Sequence, residues 1–262
     1  PHDKSVKHMV HCTQCHQQQI EKLNNVNAAN GIDKSIIGLV EHETNDYLGS
    51  IHAQPNKADP SRPNASCIDC HMPAHFIYPI KSKRGLEFRD SIPAICGRCH
   101  EKPLEQYQQS VHAASSMRLE HDKAAVCSDC HTAHKVSSPT SSPAKLIITK
   151  NCGGCHQEEY TSYRQTYHGQ VASLGYAYTA KCFDCHGSHS ITNVTDPLSK
   201  TYKNNRLNTC RQCHQQASKG FLSFDPHGNT HDFKKYPLMW IASKGMILLL
   251  AGVFTFFWTH SI

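Results

Sequence analysis

Apolar residues are scattered thinly along the first 234 positions and then crowd into the last 28. In the long first part, no stretch alternates apolar and polar residues as a half-buried strand requires. Two segments have helical spacing: residues 103–118 (PLEQYQQSVHAASSMR), with Pro103 in a first-turn position, and residues 157–173 (QEEYTSYRQTYHGQVAS). Residues 137–144 (SSPTSSPA) read as a loop or linker. The tail is different. Residues 236–262 (YPLMWIASKGMILLLAGVFTFFWTHSI) are apolar apart from Lys244, His260 and a few hydroxyls. The uninterrupted run Met246–Trp258 is only 13 residues long. Trp240 and Trp258, however, stand 18 residues apart, about 27 Å along a helix. That is close to the hydrocarbon thickness of a bilayer, with an aromatic at each interface. Lys244 lies one turn inside and can snorkel outward. The pattern predicts a mainly α-helical body with much irregular structure, followed by one transmembrane helix.

An ordinary apolar core does not account for that body. Only 38% of the residues are hydrophobic, which is low for a globular chain. The 14 cysteines instead supply the organising feature, because all of them fall into seven C-x-x-C pairs. Each pair is followed directly by histidine. The first four sites are Cys12, Cys15 and His16; Cys67, Cys70 and His71; Cys96, Cys99 and His100; and Cys127, Cys130 and His131. The last three are Cys152, Cys155 and His156; Cys182, Cys185 and His186; and Cys210, Cys213 and His214. C-x-x-C-H is the attachment site of a c-type haem. Two thiols add to the two vinyl groups of one porphyrin, and the adjacent imidazole is held under the iron. Zinc ribbons and thioredoxin-like pairs also use C-x-x-C, but neither requires a histidine after every pair. Seven covalently bound haems in 262 residues mean about one per 37 residues, so the porphyrins themselves must form the core.

Haem also changes the charge. The polypeptide carries +6, but seven haems add about 14 propionates and about one positive charge per ferric core. The sum is then about −1 oxidised and about −8 reduced. A basic patch for nucleic acid does not follow from the sequence, and neither a phosphate-cradling glycine loop nor a nucleic-acid-binding motif is present. No nucleic-acid partner is expected.

The sites alternate between two kinds. After the first kind comes a segment ending in a further histidine: NDYLGSIH to His52, EQYQQSVH to His112, TSYRQTYH to His168 and, more loosely, FLSFDPH to His227. In the first three copies a tyrosine stands five residues before that histidine (Tyr47, Tyr107, Tyr163) and Ser or Thr stands two before it (Ser50, Ser110, Thr166). Aromatic packing on a porphyrin accounts for the tyrosines. The second kind carries its own extra histidine: CIDCHMPAH with His75, CSDCHTAH with His134 and CFDCHGSH with His189. His134 starts beside His131 and cannot wrap to the opposite face of the same porphyrin, so it is expected to serve a neighbouring iron. His52, His75, His112, His134, His168, His189 and His227 make seven candidate distal ligands for seven irons, predicting bis-histidine haems throughout. His231 competes with His227, and which histidine serves which iron does not follow from the sequence. The repeat predicts di-haem modules at 1–95 (with an insert), 96–151 and 152–209, a single-haem half-module with the junction at 210–235, and the membrane helix at 236–262.

These paired C-x-x-C-H and C-x-x-C-H-x-x-H sites resemble those of the periplasmic multihaem c-type cytochromes over residues 12 to about 231. The tail looks like the junction at which some of these proteins pass into a membrane-embedded b-type cytochrome domain that exchanges electrons with quinone. The resemblance implies an electron-transfer protein, not an enzyme. Its partners would be a membrane cytochrome b or other quinone-reactive subunit, a soluble or extracellular redox protein, and the lipid bilayer. It also makes His260 a candidate ligand of a b-type haem shared with membrane helices outside this sequence. The rival is a multihaem reductase of nitrogen or sulfur oxo-compounds, which keeps one haem open. Haem c is attached outside the cytoplasm, so residues 1–235 are expected on the periplasmic or outer face of a bacterial cytoplasmic membrane. The sequence opens at Pro1 without a signal peptide and ends without Lys or Arg after the span, which suggests part of a longer protein.

Overall fold

Most helices among the described residues are short because the sequence keeps stopping them. The computed structural model describes residues 34–61, 63–71, 78, 81–116 and 124–261; Cys12, Cys15, His16 and His75 lie outside the described residues. Among the described residues there is no strand, only an isolated bridge between Pro55 and Pro63. The fold is mainly α-helical with long irregular connections, as the apolar pattern predicts.

Two units can be distinguished. The first comprises the described residues through Ala144 together with His189–Ile191. It contains α1 (Lys34–Leu48), α2 (Cys67–His71), α3 (Lys83–Gly97), α4 (Glu101–Gln108), α5 (Val111–Ser116) and α6 (Cys127–His131). A backbone bond from Val111 N to Ile191 O, 2.8 Å, ties the returning segment to the start of α5. The same bond occurs earlier in the unit, from Ile51 N to Val136 O, also 2.8 Å. The second unit comprises residues 145–188 and the chain from Thr192 onward. It holds α8 (Gln157–Gln165), α9 (Tyr167–Ser173), α10 (Cys182–His186), α11 (Arg206–Arg211) and α12 (Pro237–His260), while α7 (Ser142–Cys152) leads into it. Two 3₁₀ turns, Ile51–Ala53 and Lys219–Ser223, complete the helical structure of the described residues.

Two expectations from periodicity need correction. Residues 103–118 and 157–173 are not single helices; each breaks at its hydroxyl residue, into α4 and α5 and into α8 and α9. Thr166 leaves the helix with an extended backbone (φ −74°, ψ 161°) and its Oγ1 accepts from Gly169 N at 3.2 Å, starting a new helix. A Thr or Ser hydroxyl satisfies helix-terminal N–H groups better than it supports a helix interior. The loop at 137–144 ends at Ser141, and α7 begins at Ser142, with Pro143 in its first turn, where a missing N–H costs nothing.

The buried apolar residues are almost all small: Ala113, Ala124, Ala144, Ala172, Ala177 and Ala217, with Val126 and Tyr163. Ser50, Ser110 and Ser199 are the most deeply buried side chains. A core of alanine and serine cannot supply the burial of large side chains that stabilises ordinary domains. Leucine, isoleucine and phenylalanine are instead exposed along α12.

Candidate functional site: opposed imidazoles beside paired cysteines

Each described C-x-x-C-H is wound into one helical turn, which brings both sulfurs and the imidazole out of one short stretch. In the first kind of site, the histidine N–H returns to the carbonyl of the first cysteine: His100 to Cys96 at 3.0 Å, His156 to Cys152 at 2.9 Å and His214 to Cys210 at 2.9 Å. In the second kind the turn is helix α2, α6 or α10 itself, and the aspartate between the cysteines fixes its start. Asp69, Asp129 and Asp184 accept from the backbone N–H of Ser66, Val126 and Lys181 at 2.7, 2.7 and 2.9 Å. Sequence reasoning passed over these aspartates. The signal was there, since all three second-kind sites read C-x-D-C-H and no first-kind site does.

The additional histidines are placed by the hydroxyl caps. Ser50, Ser110 and Thr166 each stand immediately before a helical turn, so that His52, His112 and His168 occupy its second position. Ser110 Oγ accepts from Ala113 N and Ser50 Oγ from His52 N, both at 3.2 Å. The 12-residue spacing from His100 to His112 and from His156 to His168 is therefore one two-turn helix, one break and one cap.

Among the described residues, five imidazole pairs lie within one or other of the two units. His52 faces His100 with ring centroids 6.2 Å apart, His134 faces His71 at 5.7 Å, and His189 faces His131 at 6.0 Å. In the second unit His168 faces His214 at 6.0 Å and His227 faces His186 at 6.1 Å. Every pair joins an imidazole that follows a C-x-x-C to one of the histidines singled out by the repeat. His134 stands against His71, not against its sequence neighbour His131. His231 instead lies near Gln165 and Thr230. Burial is the main cause that holds His52, His71, His131, His168, His186 and His189 below the ordinary imidazole range. For His52, His71, His131, His168 and His186 the facing ring adds to it. Neutral imidazole is the form that ligates a metal.

None of the twelve described cysteines is in a disulfide, and among the described residues no three His, Cys, Asp or Glu converge on a bare ion. Two opposed imidazoles supply two ligands and leave the equatorial positions to another group. A family model described as cytochrome c554 and c-prime matches residues 11–85. The chain is a multihaem c-type cytochrome. It is also similar to the cytochrome c-type protein NrfB of Escherichia coli O6:H1, at 22% identity over 144 residues, covering 52% of this chain and 72% of that protein. No solved structure matches it.

The residues fit covalent haem c. Two iron–imidazole bonds of about 2.0 Å each, with about 1.1 Å from nitrogen to ring centre, place the centroids roughly 6.2 Å apart, and four of the five pairs lie within a few tenths of this. For His71 and His134 the Nε2 atoms themselves face each other at 3.4 Å, slightly closer than two such bonds in line require. The attachment points are also neighbours. The sulfurs of Cys96 and Cys127 interact directly, and so do those of Cys152 and Cys182. In the loaded cytochrome these sulfurs are thioethers, and the contact then records only how close consecutive sites are.

The repeated tyrosines do something more specific than stack on a porphyrin. Tyr47, Tyr107 and Tyr163 donate their hydroxyls to the carbonyls of Ala65, Ala125 and Ala180 at 2.8, 2.9 and 2.9 Å. Each acceptor lies two residues before the first cysteine of the following site. The tyrosine thus docks the next C-x-x-C-H turn onto the helix that precedes the distal histidine. Burial pushes the phenol pKa of Tyr107 and Tyr163 up, which keeps the donor proton in place. Replacing Tyr163 with phenylalanine leaves the Ala180 carbonyl without this donor. The expected loss is about 1–2 kcal/mol, read as a lower denaturant midpoint for the change in haem absorbance, with haem content unchanged. A midpoint equal to wild type would show that the bond does not hold the site.

His260 ends α12 and stacks on Phe256, with centroids 5.6 Å apart. Lys244 lies near Trp240, its Nζ 5.8 Å from the ring centre, as expected of a charge reaching along the helix toward an interface.

Proposed function

We propose that this cytochrome carries seven haems and, anchored in a membrane by α12, passes electrons between the membrane quinone pool or a membrane redox complex and periplasmic or extracellular partners. When bound, each haem c supplies one reversible one-electron couple. The chain's own residues do the rest. The opposed imidazoles would hold the iron of each such haem from both sides, which would leave no place for a substrate. The contacts of Cys96 with Cys127 and of Cys152 with Cys182 set those consecutive sites beside one another. The observation that carries the reading is the set of opposed imidazole pairs, each pairing a C-x-x-C-H histidine with a predicted distal one.

Anchoring is supported by α12, 24 residues long and the one helix among the described residues that is long and apolar enough to cross a bilayer. At about 1.5 Å per residue it is longer than the hydrocarbon layer is thick.

The test is low-temperature EPR of the oxidised holoprotein with spin quantitation against measured haem content. Seven low-spin ferric haems per chain, unaltered by nitrite, hydroxylamine or cyanide, are expected. One high-spin haem that shifts with any of these would make a catalytic iron the better reading.

A further inference from the structure

The five facing pairs do not have the same surroundings. His71 and His134 present Nε2 atoms to each other across the gap, so the ring nitrogen left over on His134 is Nδ1. That atom lies against the carboxylate of Glu43, on α1. At His227 the corresponding partners are neutral: its Nδ1 is 3.0 Å from Ser162 Oγ and 3.2 Å from the Glu159 carbonyl oxygen. The nearby charges leave Glu43 directed at the ring. Lys135, the adjacent cation, pairs with Asp46 at 3.3 Å, and His42 lies 3.7 Å from the same Asp46. A carboxylate that accepts the second N–H of a metal-bound imidazole fixes its tautomer and orientation and makes the ligating nitrogen more basic. A more basic axial ligand, with a negative charge behind it, favours the higher oxidation state of the iron.

We propose that Glu43 is a positioning residue that, by accepting the Nδ1 proton of His134, biases the haem attached at Cys67 and Cys70 toward its ferric state and makes it a low-potential step in the array. This rests on the reading that His71 and His134 ligate one iron. Ser162 and the Glu159 carbonyl give the site of His186 and His227 only neutral acceptors, so the array is asymmetric in potential even though its modules repeat in sequence. The asymmetry comes from Glu43, on α1 just before the repeated segment NDYLGSIH.

The test compares the full-length holoprotein with its Glu43→Gln variant by redox titration followed optically and by EPR. One component should become easier to reduce. The expected size is about a tenfold change in its oxidised-to-reduced ratio at fixed potential, which is about 59 mV for one electron. One low-spin EPR signal should change its g-anisotropy while the others stay fixed. Asp46→Asn, which removes a carboxylate one turn away on the same helix, should leave that component in place. Unchanged titrations for Glu43→Gln, a uniform shift of all components, or an equal shift with Asp46→Asn would each overturn the proposal. Should Glu43→Gln fail to acquire its haems, Glu43→Asp carries the test: its carboxylate is one carbon short of the ring, and the same component should rise by less. No rise there also overturns it. His134→Ala separates the two ideas. If it leaves every low-spin signal intact, the shared iron is wrong; if it opens one iron while Glu43→Gln moves nothing, only the tuning is wrong.

Discussion

Replacing His189 with alanine will open an iron that His189 does not neighbour in sequence. His189 follows the site at Cys182 and Cys185 by a few residues, but its ring faces His131, which belongs to the site at Cys127 and Cys130. The expected result is the loss of one haem's worth of low-spin signal and the gain of one high-spin, cyanide-binding haem per chain. The remaining haems should keep their spectra, because the other facing pairs do not share this ring. Two double variants assign the open site. Adding Cys127→Ala and Cys130→Ala should abolish the high-spin signal along with one haem; adding Cys182→Ala and Cys185→Ala should leave it. The reverse pattern would show that His189 serves its own sequence neighbour and that the pairing is wrong.

The second large effect concerns α12. Thirteen large apolar side chains on this helix are exposed, among them Leu238, Leu248, Phe254 and Trp258. At the lower figure of about 1.5 kcal/mol for each side chain removed from water, their transfer to lipid amounts to about 20 kcal/mol. Half of that would hold the protein on a membrane through any salt wash. Ending the chain after Lys235 should therefore move the holoprotein from the membrane pellet to the soluble fraction, with haem content and absorbance unchanged. Continued sedimentation of the shortened chain would place the membrane contact elsewhere. Release of the full-length protein by high salt alone would make the attachment peripheral and electrostatic.

What the sequence disclosed and what it withheld divide along the range of the interactions. The C-x-x-C-H turns are local, and seven identical spacings reveal them without any fold. The hydroxyl caps before His52, His112 and His168 are local too, although periodicity mistook the capped break for a continuous helix, because Ser and Thr also occur in helix interiors. The role of Tyr163 was half legible. Its recurrence showed that it mattered, but its partner is a backbone carbonyl, which has no signature in the sequence. The partners of the histidines were not legible at all. His134 and His71 are 63 residues apart, and only tertiary packing brings them together. The same holds for Glu43 against His134, because Glu43 lies outside the repeated segment NDYLGSIH and so escapes any argument from the repeat.

The pairing has a consequence for how such a protein can change in length. In each facing pair the two imidazoles come from different modules of the predicted repeat: His52 reaches forward to His100, while His134 and His189 reach back to His71 and His131. The docking bonds from Ile51 to Val136 and from Val111 to Ile191 run between modules in the same way. On the proposed ligation, a cut between modules is never clean, since it strands a histidine on one side and leaves an iron short of a ligand on the other. Residues 210–235 then act as a terminator, receiving His168 through His214 and giving back His227 to His186. Lengthening or shortening by whole modules would keep these facing pairs matched, provided that residues 210–235 still followed the last module.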